Sequence, residues 1–311
     1  MEKNGEPQIK KQRTSSETRV PTAGLTTGSS SGSWEGLSPE VLALIFTRNP
    51  IDEIIRSVPF VCKSWREVVA GSYCWNEIDI ERWCRRCNRS DLIDVVVRKL
   101  MRRSNGNCRK LSAYKIGDAG FAFVANCGRC LKVLQMPMSD VTDKIVKKHA
   151  ESLKLLTFLD ISYCVKITCQ GIEAFGKYCT SLVHLRRNMP LPEWQHDTGS
   201  LNSQTDDGEA LVIADTMPVL CHLELGYGRF TDIGLDAILA KCMKLTHLDI
   251  IGCYGVKMEG DFEEKCDRLE VFKAPWDDEY ADAVGDDGDG DDEGEEYFSD
   301  SSDPDSDSDS D

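Results

Sequence analysis

The sequence predicts an α/β chain: a short helical block, then a solenoid of stacked strand–helix units, between two tails that lack a core. Three observations carry this. Leu37, Val41, Leu42, Ile45 and Phe46 follow one another at helical spacing. A Leu-x-x-Leu-x-aliphatic pattern recurs through the second half at a period in the twenties. Both ends are poor in apolar residues, although 41% of the 311 residues are hydrophobic, so the core must lie between them.

Residues 1–33 are rich in Gly, Ser, Thr and Lys. They bury too little to offset their ordering entropy and are expected to be disordered. Lys10, Lys11 and Arg13 resemble a weak nuclear-import cluster, although short basic runs are commonly just solvated.

Residues 34–80 read LSPEVLALIF, then PFVCKSWREVV, then YCW. Val61, Trp65, Val68 and Val69 repeat the amphipathic spacing on a later helix. A block this short barely buries a core of its own, so it leaves apolar surface for a partner. These residues resemble an F-box. The opening Leu-Pro-x-Glu-aliphatic-Leu is matched by Leu37, Glu40, Val41 and Leu42, with Pro39 one place late, and Ile45 follows. The Val-Cys-Lys-x-Trp run is matched by Val61, Cys62, Lys63 and Trp65, and the final aromatic by Trp75; Asn49 stands where the family usually has Leu. The resemblance implies a three-helix module that docks on the Skp adaptor of cullin-based ubiquitin ligases. Its adaptor-binding residues would be Leu37, Pro39, Glu40, Val41, Leu42, Ile45, Phe46, Val61, Cys62, Trp65 and Trp75.

Residues 81–107 are expected to form a basic helical linker. Ten Arg and Lys face three acids between Glu81 and Lys110, and Ser90 or Asp91 can cap a helix through Val95, Val96, Val97 and Leu100. No aromatic residue interleaves with the charges after Trp83, so nucleic-acid binding is not expected. The segment reads as a solvated helix face or as a surface that attracts the acidic tail.

From residue 108 to 276 the repeat is legible. It appears at Leu131/Leu134/Met136, Leu156/Leu159/Ile161, Leu220/Leu223/Leu225 and Leu245/Leu248/Ile250, with partial copies from Cys108, Leu182 and Leu269. The steps from Leu131 onward are 25, 26, 38, 25 and 24 residues, so one unit carries an insertion, which contains Pro190, Pro192 and Trp194. This period is the signature of leucine-rich repeats, whose units bury their apolar faces only by stacking. Cys164 and Cys253 follow a strand at one phase, while Cys127, Cys179, Cys242 and Cys266 close helices. The chain therefore resembles the cysteine-containing class of such repeats, with thiols as small fillers. Cys84/Cys87 and Cys127/Cys130 have zinc-ligand spacing, but the interval between the pairs is too long for a finger.

By the two-residue period of a strand, the neighbours of the inward leucines form the substrate-facing surface. These are Phe158 and Asp160, His184 and Arg186, His222 and Glu224, and His247 and Asp249. Three of the five histidines thus form a column. It reads as a partner-binding ridge. A metal site from His184, His222 and His247 is conceivable but is not expected, because the ligand carboxylate or fourth donor is not specified.

The net charge of −16 is concentrated at one end: eighteen Asp and Glu fall in Asp277–Asp311, which has no Lys or Arg. This segment is expected to be a disordered tail whose serines suit an acid-directed kinase. It could also fold back on the basic segment.

No phosphate-cradling loop, nucleophile elbow or paired-histidine helix is present, so neither catalysis nor a cofactor is expected. With no signal-peptide pattern and no membrane-length apolar run, a reducing compartment, nucleus and cytoplasm, is expected. The resemblance, which extends to plant F-box proteins through the Tyr73–Ile80 run, implies the substrate receptor of an SCF-type ligase. Its partners would be the Skp adaptor, cullin through it, and a protein substrate. The rival reading is an acidic leucine-rich nuclear protein that binds basic partners such as histones.

Overall fold

The computed structural model describes residues 34–191 and 205–277. The N-terminal tail, the insertion with Pro192 and Trp194, and nearly all of the acidic tail lie outside the described residues. The chain divides into two units, residues 1–38 and 39–311. In the first, Trp34–Gly36 form a single 3-10 turn.

The second unit opens with three short helices, α1 (Pro39–Phe46), α2 (Ile51–Arg56) and α3 (Lys63–Ala70). Pro39 occupies the first helical position, where its missing N–H is no loss. The Asn49 amide reaches back to the carbonyls of Ile45 and Phe46 (3.4 and 3.3 Å), satisfying acceptors at the end of α1.

Eight parallel strands of three residues follow in sequential order: β1 (Glu77–Asp79), β2 (Lys110–Ser112), β3 (Val133–Gln135), β4 (Phe158–Asp160), β5 (His184–Arg186), β6 (His222–Glu224), β7 (His247–Asp249) and β8 (Val271–Lys273). The connecting helices are α4 (Glu81–Cys87) and α5 (Ser90–Arg103), then α6 (Asp118–Cys127), α7 (Asp143–His149), α8 (Cys169–Tyr178), α9 (Gly208–Thr216), α10 (Asp232–Lys241) and α11 (Phe262–Cys266). The middle residues Ile78, Leu111, Leu134, Leu159, Leu185, Leu223 and Leu248 are all buried. Their neighbours alternate to the open face, as the strand period requires.

The basic segment differs from expectation. It does not join two domains, because β1 precedes it and pairs with β2, Ile78 opposite Leu111. Residues 81–107 are the helical half of the first repeat. A three-residue strand needs one inward apolar residue, so Glu-Ile-Asp carries no leucine repeat to read. Several of the arginines lie over aromatic rings: Arg85 over Tyr114, Arg102 over Phe123 and Arg103 over Trp75, at 4.5, 5.1 and 5.2 Å.

A ladder of aspartates fastens most of the helices to the repeat that follows. Asp118 accepts from Thr142 N and Oγ1 (2.7 and 3.0 Å), and Asp143 from Thr168 N and Oγ1 (2.9 and 2.7 Å). Asp232 accepts from the amides of Lys257 and Met258 (2.9 and 3.0 Å). Asp207 accepts from Thr231 N (2.7 Å) and from Gly234 N (3.0 Å). Asp94 of α5 is buried and accepts from the amides of Gly117 and Gly120, each at 2.9 Å. Apart from Asp232, whose partners lie in the loop before α11, these carboxylates satisfy amides that a helix N-terminus leaves without partners and sit where the helix dipole favours a negative charge. Their close approach explains two glycines. A Cβ on Gly120 would collide with Asp94 Oδ1, and one on Gly234 would lie 2.8 Å from Asp207 Oδ1. Asp207→Ala is expected to lower stability by about 1.5–3 kcal/mol, read by urea denaturation, because charge-assisted bonds to two backbone amides are lost.

The ladder breaks once. Cys169 is the first residue of α8, where α6, α7 and α10 begin with aspartate. The following unit is held differently. Arg187 sits just after β5, at the position filled by Met136, Ile161, Leu225 and Ile250 in other units. It is 2% exposed. Its guanidinium binds Glu209 of α9 (2.9 and 3.2 Å) and the carbonyls of Cys164 and Ile167 (3.2 and 2.7 Å).

The cysteines are all free. Cys164 and Cys253 donate to the carbonyls of Met136 and Leu225 in the preceding unit, both at 3.2 Å. Burial pushes the thiols of Cys108, Cys164, Cys179 and Cys253 up to about 12, so thiolate is scarce there. Cys130 is exposed. A short pulse of N-ethylmaleimide on the reduced native chain, read by peptide mass spectrometry, should label Cys130 and spare those four until denaturant is added. Labelling of Cys164 as fast as Cys130 would contradict this packing.

Candidate functional site

Two surfaces stand out. The first belongs to the N-terminal helices. Along α1, Leu42, Ala43 and Phe46 are buried, while Val41, Leu44 and Ile45 remain exposed at 42, 67 and 37%. The spacing i, i+3, i+4 gives α1 a second, outward apolar face. Phe60 and Val61, before α3, are exposed at 76 and 61%. Pro39 and Glu40 are also exposed, and Leu37 is exposed in its own unit.

Three expected contact residues are therefore corrected. Leu42, Phe46 and Trp75 are at most 2% exposed and belong to the core. The Trp75 indole donates to Val69 O at 2.9 Å. The half-buried Cys62 and Trp65 also do structural work. Cys62 Sγ accepts from Trp65 N at the start of α3 (3.5 Å), and Trp65 packs on Phe46 with ring centroids 4.8 Å apart. Leu44 and Phe60 were missed; helical period alone gives two apolar stripes on α1 without saying which faces inward.

The second surface is the open face of the sheet. All eight residues expected there lie in register on β4 to β7. Phe158, His184, His222 and His247 stack in a column, with successive centroids 4.1, 3.8 and 5.0 Å apart. The second column is held by charge. Glu224 Oε1 accepts from Arg186 Nε at 2.8 Å and lies 3.0 Å from His222 Nε2, while Asn188 donates to Oε2 at 3.4 Å. Burial opposes ionisation of Glu224, but the imidazoles of His184 and His222, the guanidinium and the amide outweigh it and hold its pKa down to about 2. Burial keeps His222 below the ordinary histidine range, against the pull of Glu224. Asp160 is buried, which raises its pKa, and it accepts from Ser162 N at 2.9 Å. Asp249 pairs with Lys273 at 3.5 Å. The charges of the second column are thus largely matched within the chain, leaving an aromatic and imidazole ridge with paired ions beside it.

Sequence reasoning missed Asn188, whose Oδ1 accepts from Gly226 N at 2.8 Å and so fixes the amide that holds Glu224. It lies beyond the strand, outside the period-two reading. Among the described residues no helix is long and apolar enough to cross a membrane.

No protein-family model matches the chain. Curated relatives do. F-box protein FBW2 of Arabidopsis thaliana is 43% identical over 241 residues, covering 76% of this chain and 74% of its own length. F-box protein SKIP1 of the same plant is 31% identical, covering 77% and 85%. Putative F-box/LRR-repeat protein 22, also from Arabidopsis thaliana, is 31% identical, covering 78% and 77%. Among solved structures, the crystal structure of the yeast Rad7 and Elc1 complex is similar at 19% identity and a TM-score of 0.44. That similarity covers 61% of this chain and 45% of that one and is too slight to bear on function. An exposed apolar face beside a packed one on α1, a parallel repeat sheet behind it, and relatives at this identity over three quarters of the chain lead to one conclusion: the chain belongs to the F-box protein family, among the members that carry leucine-rich repeats.

Proposed function

We propose that this protein is the substrate-recognition subunit of an SCF-type E3 ubiquitin ligase, working in the nucleus and cytoplasm. Its N-terminal helices act as a three-helix F-box and dock on a Skp-type adaptor, and through it on cullin. Val41, Leu44, Ile45, Phe60 and Val61 supply the contact, because large apolar side chains left in water on a small helical block are suited to a partner. The open face of the sheet takes the protein substrate. The chain itself performs no chemistry; it raises the local concentration of substrate at a ubiquitin-loaded enzyme.

Family membership carries this reading. Purified full-length chain mixed with a recombinant plant Skp adaptor at micromolar concentrations should elute as a heterodimer in size-exclusion chromatography. If the two elute separately, the ligase reading fails. Retention of histones instead of the adaptor would favour an acidic leucine-rich nuclear protein.

A further inference from the structure

The sequence places carboxylates on the same face as the column of histidines; the structure shows that one of them, Glu224, closes on two of the imidazoles. His222 and Glu224 are two residues apart on β6 and share a face, and His184 stands opposite His222 on β5. His222 Nε2 is 3.0 Å from Glu224 Oε1, and His184 Nε2 is 3.8 Å from the same oxygen. Among the described residues these three form the one group of metal-ligating side chains whose donor atoms all lie within 4.8 Å of one another. The second observation is His184 Nε2 itself, a buried ring nitrogen with no hydrogen-bond partner among the described residues, Glu224 Oε1 at 3.8 Å being too far to serve as one. Orphaned buried nitrogens are uncommon and call for an explanation.

We propose that His184, His222 and Glu224 form a site for a divalent transition metal of the zinc class on the open face of the sheet. Two imidazole nitrogens and one carboxylate oxygen suit zinc, and the set leaves a fourth position for water or for a donor from a bound protein. Asn188 provides the outer support that orients a ligating carboxylate, through its bonds to Glu224 Oε2 and Gly226 N. The site does not depend on the ligase reading, since it needs only this chain.

Two features set its strength. Zinc–nitrogen bonds of about 2.0–2.1 Å put donor atoms roughly 3.3 Å apart, so the stacked His184 and His222 rings, 3.8 Å between centroids and 19° from parallel, must rotate to converge. Arg186 also competes, donating to Glu224 Oε1 at 2.8 Å. It has another resting place, since its guanidinium already lies 5.4 Å from the Phe158 ring centroid. Metal binding is therefore weakened by one positive charge that a substitution can remove.

The test uses the full chain, reduced and stripped with chelator, titrated with zinc or cobalt(II) by calorimetry and thermal unfolding. Because the fourteen thiols also take up zinc, the comparison is with His184→Gln, His222→Gln and Glu224→Gln, each checked for fold by circular dichroism. The intact chain should bind one metal more than each variant. Its Tm should rise by roughly 5–10 °C at a metal concentration about one hundred times Kd. The extra cobalt should show no sulfur charge-transfer band. Arg186→Gln should bind at least about fivefold more tightly, from the loss of a unit charge about 4 Å away. Equal stoichiometry in the intact chain and the three variants, or no gain in affinity for Arg186→Gln, would overturn the site.

Discussion

Arg187→Ala should lower the stability of the chain by about 3–5 kcal/mol, a fall of roughly 6–20 °C in Tm. The reason is what the substitution leaves behind. The guanidinium is almost wholly buried, and its removal strands the carbonyls of Cys164 and Ile167 in a cavity. Glu209→Ala should be nearly as damaging, because the buried cation then loses its counter-charge. Arg187→Met is the informative control. Methionine occupies the equivalent position at Met136, so it fills the space and continues the apolar row. Replacing a buried ion by a well-packed apolar residue is commonly close to neutral. Urea denaturation should place Arg187→Met much nearer the parent than Arg187→Ala. If the two lose equal stability, the role assigned to the ion pair is wrong.

The second large effect is on partner binding. Leu44→Asp should weaken adaptor binding by about 100-fold or more, since burying a leucine contributes about 1.5–3 kcal/mol and an unpaired carboxylate must be desolvated in its place. Leu44 is two-thirds exposed, so folding stability should move by no more than about 0.5 kcal/mol. Leu42→Ala should do the reverse to stability. That side chain is fully buried, and its truncation should cost about 2–5 kcal/mol. Calorimetric titration with the adaptor beside urea melts of both variants checks the pair. Unchanged affinity in Leu44→Asp would show that this face of α1 is not the docking surface.

The parts of the molecule differ in how far their sequence could be read. The open face of β4 to β7 was legible residue by residue, because a strand has a period of two and the buried leucines fix its phase. The first repeat was not, since Ile78 alone marks β1 and one apolar residue makes no pattern. On α1 the residues were found but their direction was not. Leu42 and Ile45 are both apolar, and only packing against α3 and Trp75 distinguishes them. Arg187 was invisible for the opposite reason: a charged residue in an apolar row reads as a break in the repeat. The aspartate ladder joins residues about one repeat apart, and nothing local at Asp118 or Asp207 announces the amide it serves.

The break in that ladder at Cys169 has a mechanical consequence. Each strand pairs only with its immediate neighbours, so a pull on the C-terminal end should peel the sheet one repeat at a time. Most joints would yield with similar rupture forces, set by backbone pairing and a carboxylate clasp. Where β5 parts from β4 the tether is instead the buried guanidinium of Arg187 on the carbonyls of Cys164 and Ile167, and the force–extension trace should carry one tooth out of series.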